Sequence, residues 1–180
     1  MMTEPFLYLI SRELDPPFYC ERAPVDTRDP SQGLWLVPIT SRILSSDRGF
    51  YTDDELETDK LILKSANANT LKNRICKSAD NEFLSVRSNK GEVPCAAMFM
   101  LKGRSKIFEA IKIDPKDYYI IFITADEVMF AEKSKYKPTQ IKKVLASIKN
   151  KMNSLFPDAS PVLSTAIFEY NPEVSRYIEV

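Results

Sequence analysis

The pattern of apolar and polar positions predicts an α+β fold with a mixed or mainly antiparallel sheet. Six successive apolar residues run from Tyr118 to Ile123. Such a run indicates a strand covered on both faces, because a half-exposed strand would alternate. A second strand-like segment, Glu127 to Glu132, follows after only three residues. This connection is too short for a crossover, so the pair, near residues 118–132, is predicted to be antiparallel and central.

Other strand-like segments lie on both sides of this pair. Strands are predicted at residues 6–11, 34–39, 83–88, 163–170 and 177–180. Pro38 is expected at the end or edge of its strand, since proline has no N–H to donate to a neighbour. The four prolines between residues 15 and 32 predict a long surface loop.

About three helices are expected to pack on the sheet. Thr52 and Glu55 form a capping-box pattern, which predicts a helix that starts there and ends by about Lys77. Apolar spacing over residues 94–111 predicts one bent helix or two short ones, with a possible interruption at Gly103. Pro138 suits the first turn of a helix with a clear apolar stripe, namely Ile141, Val144, Leu145, Ile148, Met152 and Leu155.

Length and composition agree with one globular domain over residues 1–180. The chain has 44% hydrophobic and 28% charged residues, enough to bury a core. No apolar run approaches the roughly 20 residues of a membrane span, and the amino terminus lacks the pattern of a signal peptide. Three scattered cysteines, Cys20, Cys76 and Cys95, fit reduced thiols that serve in packing. A cytoplasmic location is therefore predicted, with no membrane contact.

Part of the chain is similar to the YtpQ-like group of uncharacterised bacterial domains. The segment at residues 117–120 and the pair Glu127 and Val128 carry the resemblance, and weaker similarity extends over roughly residues 34–180. Phe122 stands where those domains tend to have proline, and Asp126 where histidine is frequent. The resemblance implies a fold, and it implies no activity, cofactor or catalytic residue.

The composition removes several kinds of chemistry. The chain has no histidine, so catalytic triads and imidazole acid–base catalysis are not available within it. The three thiols have no zinc-ligand spacing, and the four glycines form no phosphate-binding loop. No metal, cofactor or catalytic residue is predicted.

Carboxylates leave one chemical possibility open. Asp53 to Asp59 crowd a predicted helix start, where the helix dipole explains acidic residues. Asp126 and Glu127 stand at the turn after the central strand, a position where function often collects. A turn acid is also commonplace. The alternatives for this pair are a structural turn and a carboxylate-dependent metal hydrolase.

Charge is distributed unevenly although the net charge is zero. Residues 1–60 carry twelve acids and six bases, whereas residues 61–180 carry thirteen acids and nineteen bases. Residues 133–157 contain no acid and seven lysines: Lys133, Lys135, Lys137, Lys142, Lys143, Lys149 and Lys151. A solvated helix face explains such a run, and a surface for a charged partner is the alternative.

Three functional hypotheses remain open. The first is a non-enzymatic module that binds another protein, as an immunity, inhibitor or adaptor domain does. The second is nucleic-acid binding through the lysine-rich segment 133–151, with Lys142, Lys143, Lys149 and Lys151 as contacts. The third is the metal hydrolase with Asp126 and Glu127. The sequence does not determine the oligomeric state.

Overall fold

The computed structural model describes residues 5–11, 21–29, 32–40, 49–50, 76–78, 83–87, 94–157 and 161–180. Within these ranges it is an α+β fold with two sheets and three helices. The helix predicted from Thr52, with its acidic start, lies outside the described residues. Among the described helices, none has the length and apolar character that crossing a bilayer requires.

The larger sheet has seven strands and places the predicted strand pair at its centre. Its order is β3-β11-β10-β8-β9-β7-β6. All neighbours are antiparallel except β11 and β3. The strands are β3 (Val25–Asp26), β6 (Cys76–Ser78), β7 (Leu84–Arg87), β8 (Tyr118–Thr124), β9 (Glu127–Glu132), β10 (Phe168–Asn171) and β11 (Arg176–Glu179). β8 is the fourth of the seven, and it pairs antiparallel with β9 as predicted.

The apolar run in β8 is buried on both faces. Ile120 and Phe122 point into one core, and Ile121 and Ile123 point into a second core on the opposite face. All four side chains are at most 1% exposed. A continuous apolar run is what a strand with two covered faces requires.

A smaller antiparallel sheet is built on β4 (Leu34–Thr40). β4 pairs with β1 (Pro5–Ser11), β2 (Glu21–Arg22) and β5 (Gly49–Phe50). The predicted strands at residues 6–11 and 34–39 are confirmed. Pro38 stands opposite Leu7, and on its other side it falls between the residues that pair with β2 and those that pair with β5. Pro38 therefore pairs with no residue of β2 or β5.

The proline-rich segment is only partly a surface loop. β2 and β3 lie within it, and Ala23 and Val25 are at most 1% exposed. Two residues are too few for a sequence period to be visible, so only the pairing with β4 and with Tyr177 and Ile178 reveals these strands.

Two short helices cover one face of the larger sheet. They correspond to one of the two arrangements predicted for residues 94–111. They are α1 (Pro94–Ala97) and α2 (Leu101–Ile111). The break falls at residues 98–100, and Gly103 lies inside α2 rather than at the interruption. A Cβ at Gly103 would approach the carbonyl oxygen of Ala97 to 2.5 Å. Gly103 is thus needed where α1 and α2 pack closely.

The third helix, α3 (Pro138–Leu155), covers the opposite face. It begins with Pro138 in its first turn, as predicted. Ile141 and Leu145 are fully buried against Ile121 and Ile123 of β8 and their neighbours. The sheet therefore lies between α3 on one side and α1, α2 and residues of the smaller sheet on the other.

Two predicted boundaries are wrong. Cys76–Ser78 forms β6, so a helix cannot extend to Lys77. Residues 161–167 form no strand, and the predicted strand at 163–170 begins only at Phe168. Before it, the Leu163 N–H donates to the Ile123 carbonyl at 2.9 Å. One such bond satisfies the backbone locally without a ladder.

Candidate functional site

The turn between β8 and β9 contains the two acids that the sequence singles out. Thr124 pairs with Glu127 to close it, and the register slips between Phe122 and Thr124, so Ile123 is an extra residue on β8. Such a bulge is common where a strand is bent or redirected. Asp126 is exposed at the tip of the turn.

Glu127 is a buried residue, in contrast to Asp126. It is 7% exposed, and its Oε1 lies 2.9 Å from Nε of Arg87, the residue opposite it on β7. This contact is an ion pair without hydrogen-bond geometry, because Oε1 accepts no hydrogen bond. A buried carboxylate needs a nearby positive charge to offset its lost hydration. The pair gives Glu127 a structural explanation.

Cys95 in α1 contacts the same turn from the face of the larger sheet that α1 and α2 cover. Its Sγ lies 2.9 Å from the Thr124 carbonyl oxygen and 3.1 Å from the Glu127 carbonyl oxygen. A thiol has one proton, so the S–H is shared between carbonyls at the two ends of the turn. Cys95 thus acts as the packing residue that the sequence predicts.

The electrostatic surroundings keep this thiol protonated. Complete burial raises the pKa of Cys95 well above its ordinary value, and the charges of Asp126 and Glu127 raise it further. A thiolate would be the nucleophilic form. The arrangement therefore disfavours nucleophilic chemistry at Cys95 and favours its role as a donor.

Asp126 and Glu127 are adjacent in sequence but differ in surroundings. Nowhere in the described ranges do three or more cysteine, aspartate or glutamate side chains come together as metal ligands would. The proposal that these two acids serve a metal hydrolase stays a prediction.

The lysine-rich segment consists of two parts with different surroundings. Before α3, the Lys133 Nζ lies 3.0 Å from Glu169 Oε1, and Lys135 forms an ion pair with Glu132. Within α3, the four predicted contacts are exposed, and none forms an ion pair with an acid of the described chain: Lys142, Lys143, Lys149 and Lys151. The four lysines of α3, and Lys137 just before it, retain charge that no acid in these ranges offsets.

The four lysines of α3 do not form one stripe. Lys142 and Lys149 are seven residues apart and therefore lie on the same side of the helix, about 10 Å from each other along its axis. Lys151 lies about 180° around the axis from Lys142, and Lys143 lies between them on the side opposite the buried residues. The positive charge surrounds the solvent-facing half of α3.

Two exposed apolar side chains lie at the C-terminal end of α3. Leu155 is 63% exposed and Phe156 is 54% exposed. Lys151 is one turn before Leu155 and therefore on nearly the same side. We call the four α3 lysines together with Leu155 and Phe156 the α3 outer surface. It combines positive charge with an apolar end.

A buried arginine is the main feature that sequence reasoning missed. Arg104 in α2 is 7% exposed, its Nη1 donates to the Met98 carbonyl at 3.3 Å, and its guanidinium lies 4.4 Å from the centre of the Tyr170 ring. Tyr177 donates to the same carbonyl at 2.6 Å. Burial raises the pKa of Tyr177, so its hydroxyl stays a donor. Arg104 could have been found by position, since it lies three residues before the buried Ile107.

Comparison of the chain with protein-family models, with curated proteins and with solved structures gave no match. The resemblance to the YtpQ-like domains therefore stays a prediction.

Proposed function

We propose that the protein is a non-enzymatic binding module whose partner is another protein with an acidic surface and apolar contacts. The observation that carries the proposal is the α3 outer surface. Four exposed lysines lie along the helix that ends at Leu155 and Phe156, which are both more than half exposed. Apolar side chains that remain exposed beside charge are typical of protein contact surfaces.

The charge pattern supports an acidic partner. Residues 133–157 contain no acid, and Lys133 and Lys135 are paired with Glu169 and Glu132, whereas the lysines of α3 are not paired with an acid of the described residues. Charges at the edge of an interface increase the association rate, whereas a central apolar contact contributes most to affinity. Leu155 and Phe156 would be that apolar contact, with the lysines on the helix that leads up to it.

Site-specific photo-crosslinking tests the proposal. A photoreactive residue at Ser147, which is exposed on α3, should capture a discrete protein at native expression. Leu155→Ser with Phe156→Ser should abolish capture, because it removes the apolar contact. Lys142→Glu with Lys149→Glu should weaken capture by about tenfold or more, because like charges then face each other.

The matched control changes the same net charge elsewhere. Lys102 and Lys106 are exposed on α2, and their double replacement by Glu should leave capture unchanged. Equal loss in this control would show that only overall charge matters. Capture unaffected by the α3 replacements would contradict the proposal.

Nucleic-acid binding is a second candidate, and the exposed Phe156 ring near Lys149 is the observation that favours it. Aromatic rings beside basic residues stack on unpaired bases. Phe156→Leu separates the two candidates, because leucine retains an apolar contact but cannot stack. For a single-stranded oligonucleotide, replacing the four lysines by Gln should reduce the slope of log affinity against log salt. A slope that does not change would remove this candidate.

A further inference from the structure

A cavity of about 450 Å³ lies where the end of α2 meets the start of β8 and the end of β9. Its volume is in the range of small-molecule sites, which combine an apolar lining with a few polar groups. Its lining comes from strands of the larger sheet, from the end of α2 with the residues that follow it, and from the residues between β9 and α3. No residue of the α3 outer surface lines it. Its function is independent of the one proposed above.

The inner part of the cavity is apolar. Leu84, Ile111 and Phe130 contribute to the lining. Ile111 and Phe130 are 5% and 1% exposed and close the floor of the cavity, whereas Leu84 and Tyr118 are half-buried and offer accessible apolar surface. Tyr118 and Tyr136 add aromatic surface to the lining. An apolar chain or ring would exchange water for these side chains.

The mouth of the cavity carries a net positive charge. Lys112, Lys135 and Glu132 all line it. Glu132 accepts a hydrogen bond from the Ser134 hydroxyl and pairs with Lys135, and this pairing lowers the pKa of Glu132 and raises that of Lys135. One acid therefore offsets one lysine. Lys112 has no acidic partner in the described part of the chain.

At the C-terminal end of α2, hydrogen bonds reduce the negative charge that free carbonyl groups would place at the mouth of the cavity. A helix C-terminus carries partial negative charge on its free carbonyls. Lys112 adopts a left-handed conformation with φ of 56°. Its N–H donates to the Glu109 carbonyl, and the N–H of Ile113 donates to the Phe108 carbonyl. Two carbonyl groups at the C-terminal end of α2 thereby accept hydrogen bonds. The charge at this end of the helix is then the positive charge of the Lys112 ammonium group.

We propose that this cavity binds a small amphipathic anion, a carboxylate attached to an apolar chain or ring, with its apolar part on Leu84 and Tyr118 and its carboxylate at Lys112. An uncharged analogue would lose the ion pair, and a cationic one would be repelled. Since the contact with Lys112 is solvent-exposed, charge should change affinity only about twofold to fivefold. The apolar lining should supply most of the binding.

The test uses the full chain with labelled isoleucine and leucine methyl groups and three probes of equal length: octanoate, 1-octanol and octylammonium. Octanoate at millimolar concentrations should give saturable NMR shifts at Leu84, Ile111 and Ile113, and it should bind about twofold to fivefold more tightly than 1-octanol. Lys112→Gln should remove this difference and leave the affinity for 1-octanol unchanged. Glutamine carries no charge and faces the same backbone requirement as lysine at this position.

Lys102→Gln is the matched control, because Lys102 is exposed at the other end of α2, and it should keep the preference for octanoate. The proposal is overturned if no saturable shift occurs at these three residues, if octylammonium binds as tightly as octanoate, or if Lys112→Gln leaves the preference intact. None of these results depends on the protein partner of α3.

Discussion

The β8–β9 turn and the α3 outer surface both carry charged residues that the sequence singles out, but the structure uses the charges differently. At the turn, Glu127 is buried and paired with Arg87, and Cys95 links the carbonyls at both ends. On α3, four lysines are exposed without an acidic partner among the described residues, next to exposed Leu155 and Phe156.

The charges of Glu127 and Arg87 stabilise the fold, whereas those of the α3 lysines remain available for contact with another molecule. A buried carboxylate has lost hydration and depends on its partner, so removing that partner has a cost. An exposed lysine stays hydrated and contributes little to stability. Function should accordingly depend on α3, and stability on the turn.

Among the charged residues, the largest expected effect comes from removing the positive charge at the turn. Arg87→Met keeps most of the apolar stem but leaves the Glu127 carboxylate buried without its cation. We expect the free energy of unfolding to fall by about 2 kcal/mol, less than for a fully buried pair because the Arg87 side chain is 50% exposed. Urea unfolding measures this change. Adding Glu127→Gln to the variant should recover part of the loss.

A more exposed ion pair provides the comparison. Arg176 forms an ion pair with Asp26 between β11 and β3, and the side chains are 40% and 49% exposed. The hydrogen bond from Arg176 lowers the pKa of Asp26. Arg176→Met should cost less than about 1 kcal/mol, since solvent screens the pair. If Arg87→Met costs no more than Arg176→Met, Glu127 does not depend on its partner and a structural role for it is wrong.

The contrast also shows what the sequence could reveal. The apolar run of β8 and the stripe of α3 predict strand pairing and helix position, because burial imposes a period on neighbouring residues. The sequence did not distinguish Asp126 from Glu127. Their different exposure depends on the register of β9 with β7, which brings Arg87 opposite Glu127, and register is a property of paired strands rather than of one segment.

Arg104 and the short strands escaped prediction for related reasons. Arg104 occupies a position on the buried side of α2, where its charge is accommodated by the Met98 carbonyl and the Tyr170 ring from distant segments. β2 and β3 have two residues each and exist only through their partners, β4 and β11. Contacts between distant segments decide these features, and the local sequence shows only that Arg104 stands at helical spacing from the buried Ile107.

The Cys95 thiol that supports the turn should make the stability of the fold depend on pH. Folding raises the pKa of Cys95 above its ordinary value of about 9. Its contribution to stability is therefore complete below that pH and is lost as the pH rises toward the raised pKa, since only the unfolded chain releases the proton. Above pH 9 the wild type should lose up to about 1.4 kcal/mol per pH unit more than Cys95→Ser does.

Unfolding in urea between pH 8 and 10.5 gives both slopes. The serine variant is the appropriate reference because its hydroxyl can donate to the same carbonyls and does not titrate in this range. The difference between the two proteins cancels the titration of Tyr177 and of the lysines. Parallel pH profiles would show that Cys95 is not held protonated by the turn.

The smallest effect is expected on α3, where replacing Lys142, Lys143, Lys149 and Lys151 together by Gln should change the free energy of unfolding by less than about 0.5 kcal/mol. None of the four lysines lies in the last turn of α3, where a cation would gain from the helix dipole, so the dipole adds nothing to this small change. Ile141→Ala on the buried side of the same helix should cost about 2–5 kcal/mol and shows that the assay detects damage to α3. A loss above about 1 kcal/mol in the lysine variant would mean that these charges support the fold, and the α3 outer surface would then be no freer to bind a partner than the β8–β9 turn.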